Sequence, residues 1–113
     1  MECIFCKIAS GEMPAKIVLE TEDVVAFHDI NPQAPVHVLV IPRKHIARVA
    51  DMTADDVTLM GKIIYAGKQV AEKLGIAEDG FRLVFNNGRN GGQHVYHIHL
   101  HVLGGRAMLW PPG

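Results

Sequence analysis

The stretch Val95-Tyr96-His97-Ile98-His99-Leu100-His101-Val102-Leu103 decides how this chain is read. Polar and apolar residues alternate along it, which argues a β-strand with two unlike faces. On such a strand His97, His99 and His101 share one face. Tyr96, Ile98, Leu100 and Val102 share the other, which should pack on helices. Polar sheet faces ordinarily carry Thr, Lys, Glu or Ser, so three imidazoles in a row need a purpose. The chain has seven histidines in 113 residues, and this run holds three of them.

The rest of the chain supplies a frame for that strand. Residues 3–10 read as a short helix stopped by Gly11, with Pro14 just beyond. Residues 16–20 and 24–28 are β-rich runs split by Thr21-Glu22-Asp23, a hairpin pattern. Asn31-Pro32-Gln33-Ala34-Pro35 is a loop stiffened by two prolines, and an apolar strand over 36–41 follows, closed by Pro42. Thr53 caps one long helix whose first turn holds Asp55 and Asp56. Val57, Met60, Ile63, Ile64, Val70, Ala71 and Leu74 recur at helical spacing, and Gly75 stands at the stop. A fourth strand spans 81–85, a glycine- and asparagine-rich turn spans 86–92, and the histidine strand spans 95–103. Short links favour antiparallel pairing. The expectation is an α+β fold, a five-stranded antiparallel sheet with one long and one short helix, the helices on one face.

Length and charge narrow the function. One domain, residues 1–113, can bury a core without staples. The formal net charge is −1, so no basic field calls for nucleic acid or an anionic membrane. Apolar runs fall well short of the roughly 18 residues of a membrane span, and Glu2 and Lys7 interrupt the early apolar stretch, so no signal peptide is expected. Cys3 and Cys6 are too few for a secreted disulfide framework, and the expected location is the reducing cytoplasm.

The histidine row admits two chemistries. A His-x-His pair on a strand can give two ligands to one zinc, but three cannot converge. At ~3.3 Å per residue His97 and His101 stand about 13 Å apart, whereas zinc–nitrogen bonds are about 2.0–2.1 Å long. Alternatively the row handles phosphate. Neutral imidazole is a nucleophile near neutral pH, its protonated form binds anions and donates protons, and Gly91-Gly92 could offer backbone N–H groups to phosphate oxygens. Spacing leaves both readings open.

Resemblance divides them. His97-Ile98-His99-Leu100-His101-Val102-Leu103 is similar to the His-x-His-x-His-x-x signature of the histidine triad superfamily. The likeness continues through Ala26-Phe27-His28-Asp29-Ile30, Pro32 to Pro35, His37 to Pro42, His45-Ile46, Gly91-Gly92-Gln93, Gly104-Gly105-Arg106 and Trp110-Pro111-Pro112-Gly113. The branch it most resembles is that of the Hint proteins. That resemblance implies a nucleotide-binding hydrolase that cleaves the P–N bond of purine nucleoside 5′-phosphoramidates, and turns over aminoacyl-adenylates. His99 would attack phosphorus and form a nucleotidyl-histidine, which water would hydrolyse to the monophosphate. His101 would contact phosphate and help protonate the leaving amine. His97 would orient the active ring, and His37 would support the triad from a neighbouring strand. Asn86, Gln93, His94 and Val95 match positions near the phosphate. Asp29 matches the acid that holds the ribose hydroxyls. Ile4, Phe5, Ile8, Phe27, Ile30 and Leu39 match the apolar slot for the base. Trp110 matches a residue that reaches the partner's site in a homodimer whose two sheets join. Catalysis by this route requires no cofactor.

Two positions depart from the Hint pattern. His94 stands where that branch often has a phosphate-binding serine. Cys3-x-x-Cys6 is carried by other branches of the superfamily, where it holds structural zinc; here the set would be Cys3, Cys6, His45 and His97. The other reading of the pair is two small apolar side chains packed one helical turn apart. A redox role is disfavoured, because no thioredoxin-like βαβ pattern surrounds the pair. Two further functions share the same residues: a regulatory module that binds nucleotide with little catalysis, and a zinc-dependent hydrolase.

Overall fold

The computed structural model describes residues 3–113. The first helix, α1 (Ile4–Ser10), is capped by Cys3, whose sulfur accepts the backbone N–H of Cys6. It stops at Gly11, whose φ of 83° is a conformation glycine adopts without strain. Strands β1 (Ile17–Glu20), β2 (Val24–His28) and β3 (Val36–Pro42) follow. A single 3₁₀ turn, Ala54–Asp56, then leads into α2 (Val57–Lys73). Thr53 caps this start as expected. Its side chain receives a backbone N–H, and Asp56 reaches back to the Thr53 N–H at 2.9 Å. Strands β4 (Phe81–Phe85) and β5 (Leu100–Gly104) complete the order. The five strands form one antiparallel sheet in the order β1-β2-β3-β5-β4. No helix among the described residues is long and apolar enough to cross a membrane.

Two expectations need correction. The helices do not share a face. Alternate residues of β2 and β3 point to opposite sides, and each side has its own helix. Val24, Ala26, Val38 and Val40 pack with Ile63, Ala66, Val70 and Ala71 of α2. Val25, Phe27, Leu39 and Ile41 pack with Phe5 and Ala9 of α1. The near-continuous apolar run in these two central strands, buried on both sides, was the signal for two covered faces.

The last strand is also shorter than 95–103. Its ladder begins only at Leu100. In the β3–β5 register Val40 faces Leu100, so Ile98 would come opposite Pro42, which has no N–H to donate. On the other side β4 ends at Phe85, opposite Leu100. The preceding residues are still extended enough to keep their parity, because Ile98, Leu100 and Val102 all enter the α2-side core. Tyr96 does not; it is exposed.

The α2 side is tightly closed over β5. A Cβ built on Gly104, which pairs with Val36 and Phe81, would lie 2.5 Å from Ile76 Cδ1 and 3.1 Å from Ile76 Cβ. Gly104→Ala should therefore cost about 1–3 kcal/mol in urea unfolding. An unchanged midpoint would show that the turn carrying Ile76 yields freely.

Candidate functional site

The side of the sheet that carries α1 collects the histidines into two groups. The first is built around His97, whose side chain is fully buried. Its Nδ1 lies 3.4 Å from Cys3 Sγ, 3.5 Å from Cys6 Sγ and 3.2 Å from His45 Nδ1, and Cys6 Sγ lies 3.4 Å from His45 Nδ1. All four donor atoms fall within 4.8 Å of one another. A zinc tetrahedron with bonds of about 2.3 Å to sulfur and about 2.0–2.1 Å to nitrogen has S···N edges of about 3.6 Å and N···N edges of about 3.3 Å. The spacings fit that figure. The far side of His97 supports the same use. Its Nε2–H donates to the Pro42 carbonyl at 2.8 Å, which leaves the Nδ1 lone pair facing the sulfurs. Burial holds the ring below its ordinary pKa, hence neutral, which is the ligating form. Burial and the neighbouring Cys3 push the Cys6 thiol up, and a cation at the centre would reverse that.

The second group is His99, His101 and His37. The rings of His99 and His101 are 4.9 Å apart, and those of His101 and His37 are 5.2 Å apart. Hydrogen bonds to the main chain fix which nitrogen carries each proton. His99 Nδ1 is 2.8 Å from the His97 carbonyl, which can only accept, so Nδ1 is the N–H and Nε2 keeps its lone pair. The backbone N–H of Gln33 donates to His37 Nδ1 at 3.0 Å, so His37 is protonated on Nε2. That Nε2–H donates to His101 Nδ1 at 2.9 Å, so His101 carries its own proton on Nε2. The group thus holds one uncommitted lone pair, on His99, and one outward N–H, on His101. Asp29 Oδ2 lies 3.4 Å from His37 Nε2. Asp29, His37 and His101 come within 4.8 Å of one another, but the His37–His101 hydrogen bond occupies the atoms that an ion would need.

Burial lowers the proton affinity of all three rings. In His99 it outweighs the bond to the His97 carbonyl, and in His37 it outweighs the attraction of Asp29. His101 is brought down to about 4 by burial and by its neighbours His99 and His37, against the pull of Asp29.

A family model described as the HIT domain matches residues 10–108. The chain belongs to the HIT family. A crystal structure of a HIT family hydrolase from Legionella pneumophila is 55% identical to this chain, with a TM-score of 0.97, covering 99% of this chain and 100% of that one. A histidine triad nucleotide-binding protein from Candida albicans is 34% identical, with a TM-score of 0.82, covering 97% and 83% of the two chains. A zinc-bound histidine triad family protein from Mycobacterium smegmatis is 35% identical, with a TM-score of 0.79, covering 94% and 76%.

The other expected HIT site residues divide by position. Phe5, Phe27 and Leu39 form one apolar cluster with Ile8 and Val95 packed against it. Leu39 is the cross-strand partner of His101, and Phe27 pairs with Leu39, so this wall adjoins the histidine row. Ile4 lies exposed on α1, and Ile30 is wholly exposed beside Asp29. Asn86 directly follows β4, whose last pair is Phe85 with Leu100, the residue after His99. Gln93 is close by in the chain, and both N–H donors of its amide are engaged. Oε1 accepts from Gly88 N–H, and Nε2 donates to the carbonyls of Ala47 and Val95. It braces the loop and has no side-chain donor left for a phosphate. His94 and Trp110 are exposed, and neither has a place in the two histidine groups. Two contributors went unforeseen, the carbonyl of Pro42 and the N–H of Gln33. Both are main-chain groups, so no side chain announced them.

The ring shifts predict a pH effect on folding. His101 stays neutral in the folded chain down to about 4 but is protonated near its ordinary 6.5 when unfolded. Between those values the unfolded chain binds more protons, so this residue's contribution is complete above about 6.5 and is lost as pH falls toward 4. Urea unfolding at about pH 7 and about pH 4.5 should show His101→Asn losing less stability on acidification than the parent chain, by up to roughly 3 kcal/mol. Equal losses would contradict a half-buried, neutral His101 ring.

Proposed function

We propose that this HIT protein is a phosphoramidase of the Hint type, hydrolysing the P–N bond of purine nucleoside 5′-phosphoramidates, with aminoacyl-adenylates as a second substrate class. The observation that carries the reading is the His99 ring, whose Nδ1–H is held by the His97 carbonyl while Nε2 is left with a free lone pair. The names of the related structures, a hydrolase and a nucleotide-binding protein, agree with it.

In this mechanism Nε2 of His99 attacks the α-phosphorus. The Nε2–P bond forms as the P–N bond breaks, and the leaving nitrogen takes a proton from His101. Burial and the neighbouring His99 and His37 disfavour a charged His101, but a substrate phosphoryl anion beside the ring favours it. When Nδ1 of His101 also carries a proton, Asp29 Oδ2 is at hand to receive the Nε2–H of His37. Water then attacks phosphorus, gives a proton back to His101, and releases His99 and the monophosphate. The His97 carbonyl stabilises the positive charge that the substituted His99 ring bears in between. Phe5, Ile8, Phe27, Leu39 and Val95 offer the apolar side for the base, Ile30 its outer edge, and Asp29 the acceptor for ribose hydroxyls.

Cys3, Cys6, His45 and His97 would hold a structural zinc, which when bound supplies a fixed cross-link between α1, the His45 loop and the segment before β5. Four protein ligands complete a tetrahedral set, which leaves no open position for the activated water of a zinc hydrolase. The unpaired outer edge of β4, with Leu83 exposed on that strand, supports a homodimer. The exposed Leu109 and Trp110 would then reach the neighbouring protomer.

The test is turnover of adenosine 5′-phosphoramidate. His99→Ala should lower kcat by at least about a thousandfold while AMP still binds. Near-normal turnover would remove the nucleophile from His99, and AMP binding without hydrolysis by the parent chain would favour the regulatory module.

A further inference from the structure

The Phe5 ring joins the two histidine groups. It stands edge-on to His97 with centroids 6.0 Å apart, to His99 at 5.1 Å and to Phe27 at 5.5 Å. It therefore meets a residue of the metal-ligand set, the nucleophile and a wall of the base slot at once. Its carrier, α1, has seven residues, far fewer than the roughly 12–15 at which an isolated helix becomes even marginal. Packing and its first turn must hold it in place. That turn bears Cys3 and Cys6 on either side of Phe5, two of the four donors.

His97 makes a second connection. One residue gives Nδ1 to the donor set, gives Nε2–H to Pro42, and offers its carbonyl to His99 Nδ1–H. It sits in a segment outside the sheet ladder, tied to the loop before α2 by the Ile98 N–H to Ile46 carbonyl bond of 2.7 Å. The donors thus come from three separate pieces of chain: the start of α1, the loop holding His45, and the segment before β5. A cation that ties these pieces together fixes both supports of the His99 ring.

We propose that the Cys3, Cys6, His45 and His97 set and the His99 pocket are one thermodynamic unit, in which Phe5 and the His97 main chain carry metal occupancy to the His99 ring, so that zinc and nucleotide bind cooperatively. Phe5 is in this account a positioning residue. The proposal rests on the zinc and nucleotide readings above and goes beyond them, because in a chain that stays folded after chelation a metal that served only to stabilise the fold would be indifferent to the nucleotide. Linkage requires the effect to be mutual: whatever zinc does for nucleotide affinity, nucleotide does for zinc affinity.

The experiment measures zinc affinity by competition with a chromophoric chelator, without AMP and with saturating AMP, free zinc being calibrated in each buffer. AMP should tighten zinc by at least about fivefold, the lower end of ordinary coupling between sites. In Phe5→Leu, which keeps an apolar side chain in the core but removes the ring edge, zinc should still bind and the AMP effect should fall within about twofold. A direct readout accompanies it. The imidazole nitrogen resonances of His99 should differ between the zinc-loaded and the chelated chain. Zinc affinity that is the same with and without AMP, both ligands binding, overturns the proposal and leaves the zinc and nucleotide readings standing. Coupling that survives intact in Phe5→Leu overturns the role of Phe5. A chain that takes up no zinc overturns the metal reading itself, and this inference with it.

Discussion

The hydrogen bond from His99 Nδ1–H to the carbonyl of His97, 2.8 Å long and only two residues away in sequence, is the constraint around which the site is arranged. A carbonyl engaged in a sheet ladder would be directed at the neighbouring strand. Here the ladder has already ended, since β5 pairs only from Leu100 onward and Pro42 offers no N–H opposite Ile98. The segment before β5 is therefore free to turn its carbonyl to the ring. One early end to a strand thus gives His99 a defined tautomer and a directed lone pair, and gives His97 a buried place among the cysteines.

The two faces of the sheet serve different ends. The α2 side is aliphatic and dry, with Val38, Val40, Ile63, Val70 and Val102 wholly enclosed. It provides the burial that stabilises the domain. The α1 side buries His37, His97 and His99, a costly choice unless each ring finds partners. Each does, and no buried side-chain nitrogen or oxygen among the described residues lacks one. The partners are mainly backbone groups, from Gln33, Pro42 and His97. Backbone atoms move less than side chains, so rings placed this way enter the reaction already oriented.

Much of this was legible in the sequence, and the reasons differ by residue. The alternation of His97, Ile98, His99, Leu100, His101 and Val102 gave the correct face for every one of these side chains, because extended chain keeps its parity even where the ladder stops. Thr53 and Gly11 marked helix ends through local chemistry that tertiary contacts did not override. The strand's true start was hidden, since it depends on what a different strand offers at Pro42. The placement of α1 on the face opposite α2 was legible in the apolar runs of β2 and β3, which are buried on both sides, whereas connection lengths alone do not specify a side. The four donors Cys3, Cys6, His45 and His97 were drawn together only by family likeness; they span 94 residues of separation, and the one local pattern among them, Cys3-x-x-Cys6, does not point to either histidine. Gln93 too was singled out by family likeness alone; its amide braces the loop through Gly88, Ala47 and Val95, contacts that no local pattern announced.

The central claim is that the lone pair on His99 Nε2 forms a covalent bond to phosphorus. Rapid acid-free quenching of the protein with a nucleoside phosphoramidate, followed by proteolysis and mass spectrometry, tests it most directly. The account predicts one nucleotidyl group per modified chain, attached to His99 and absent once the substrate is exhausted. Turnover without any adduct, or an adduct on His37, His101 or another side chain, would contradict it.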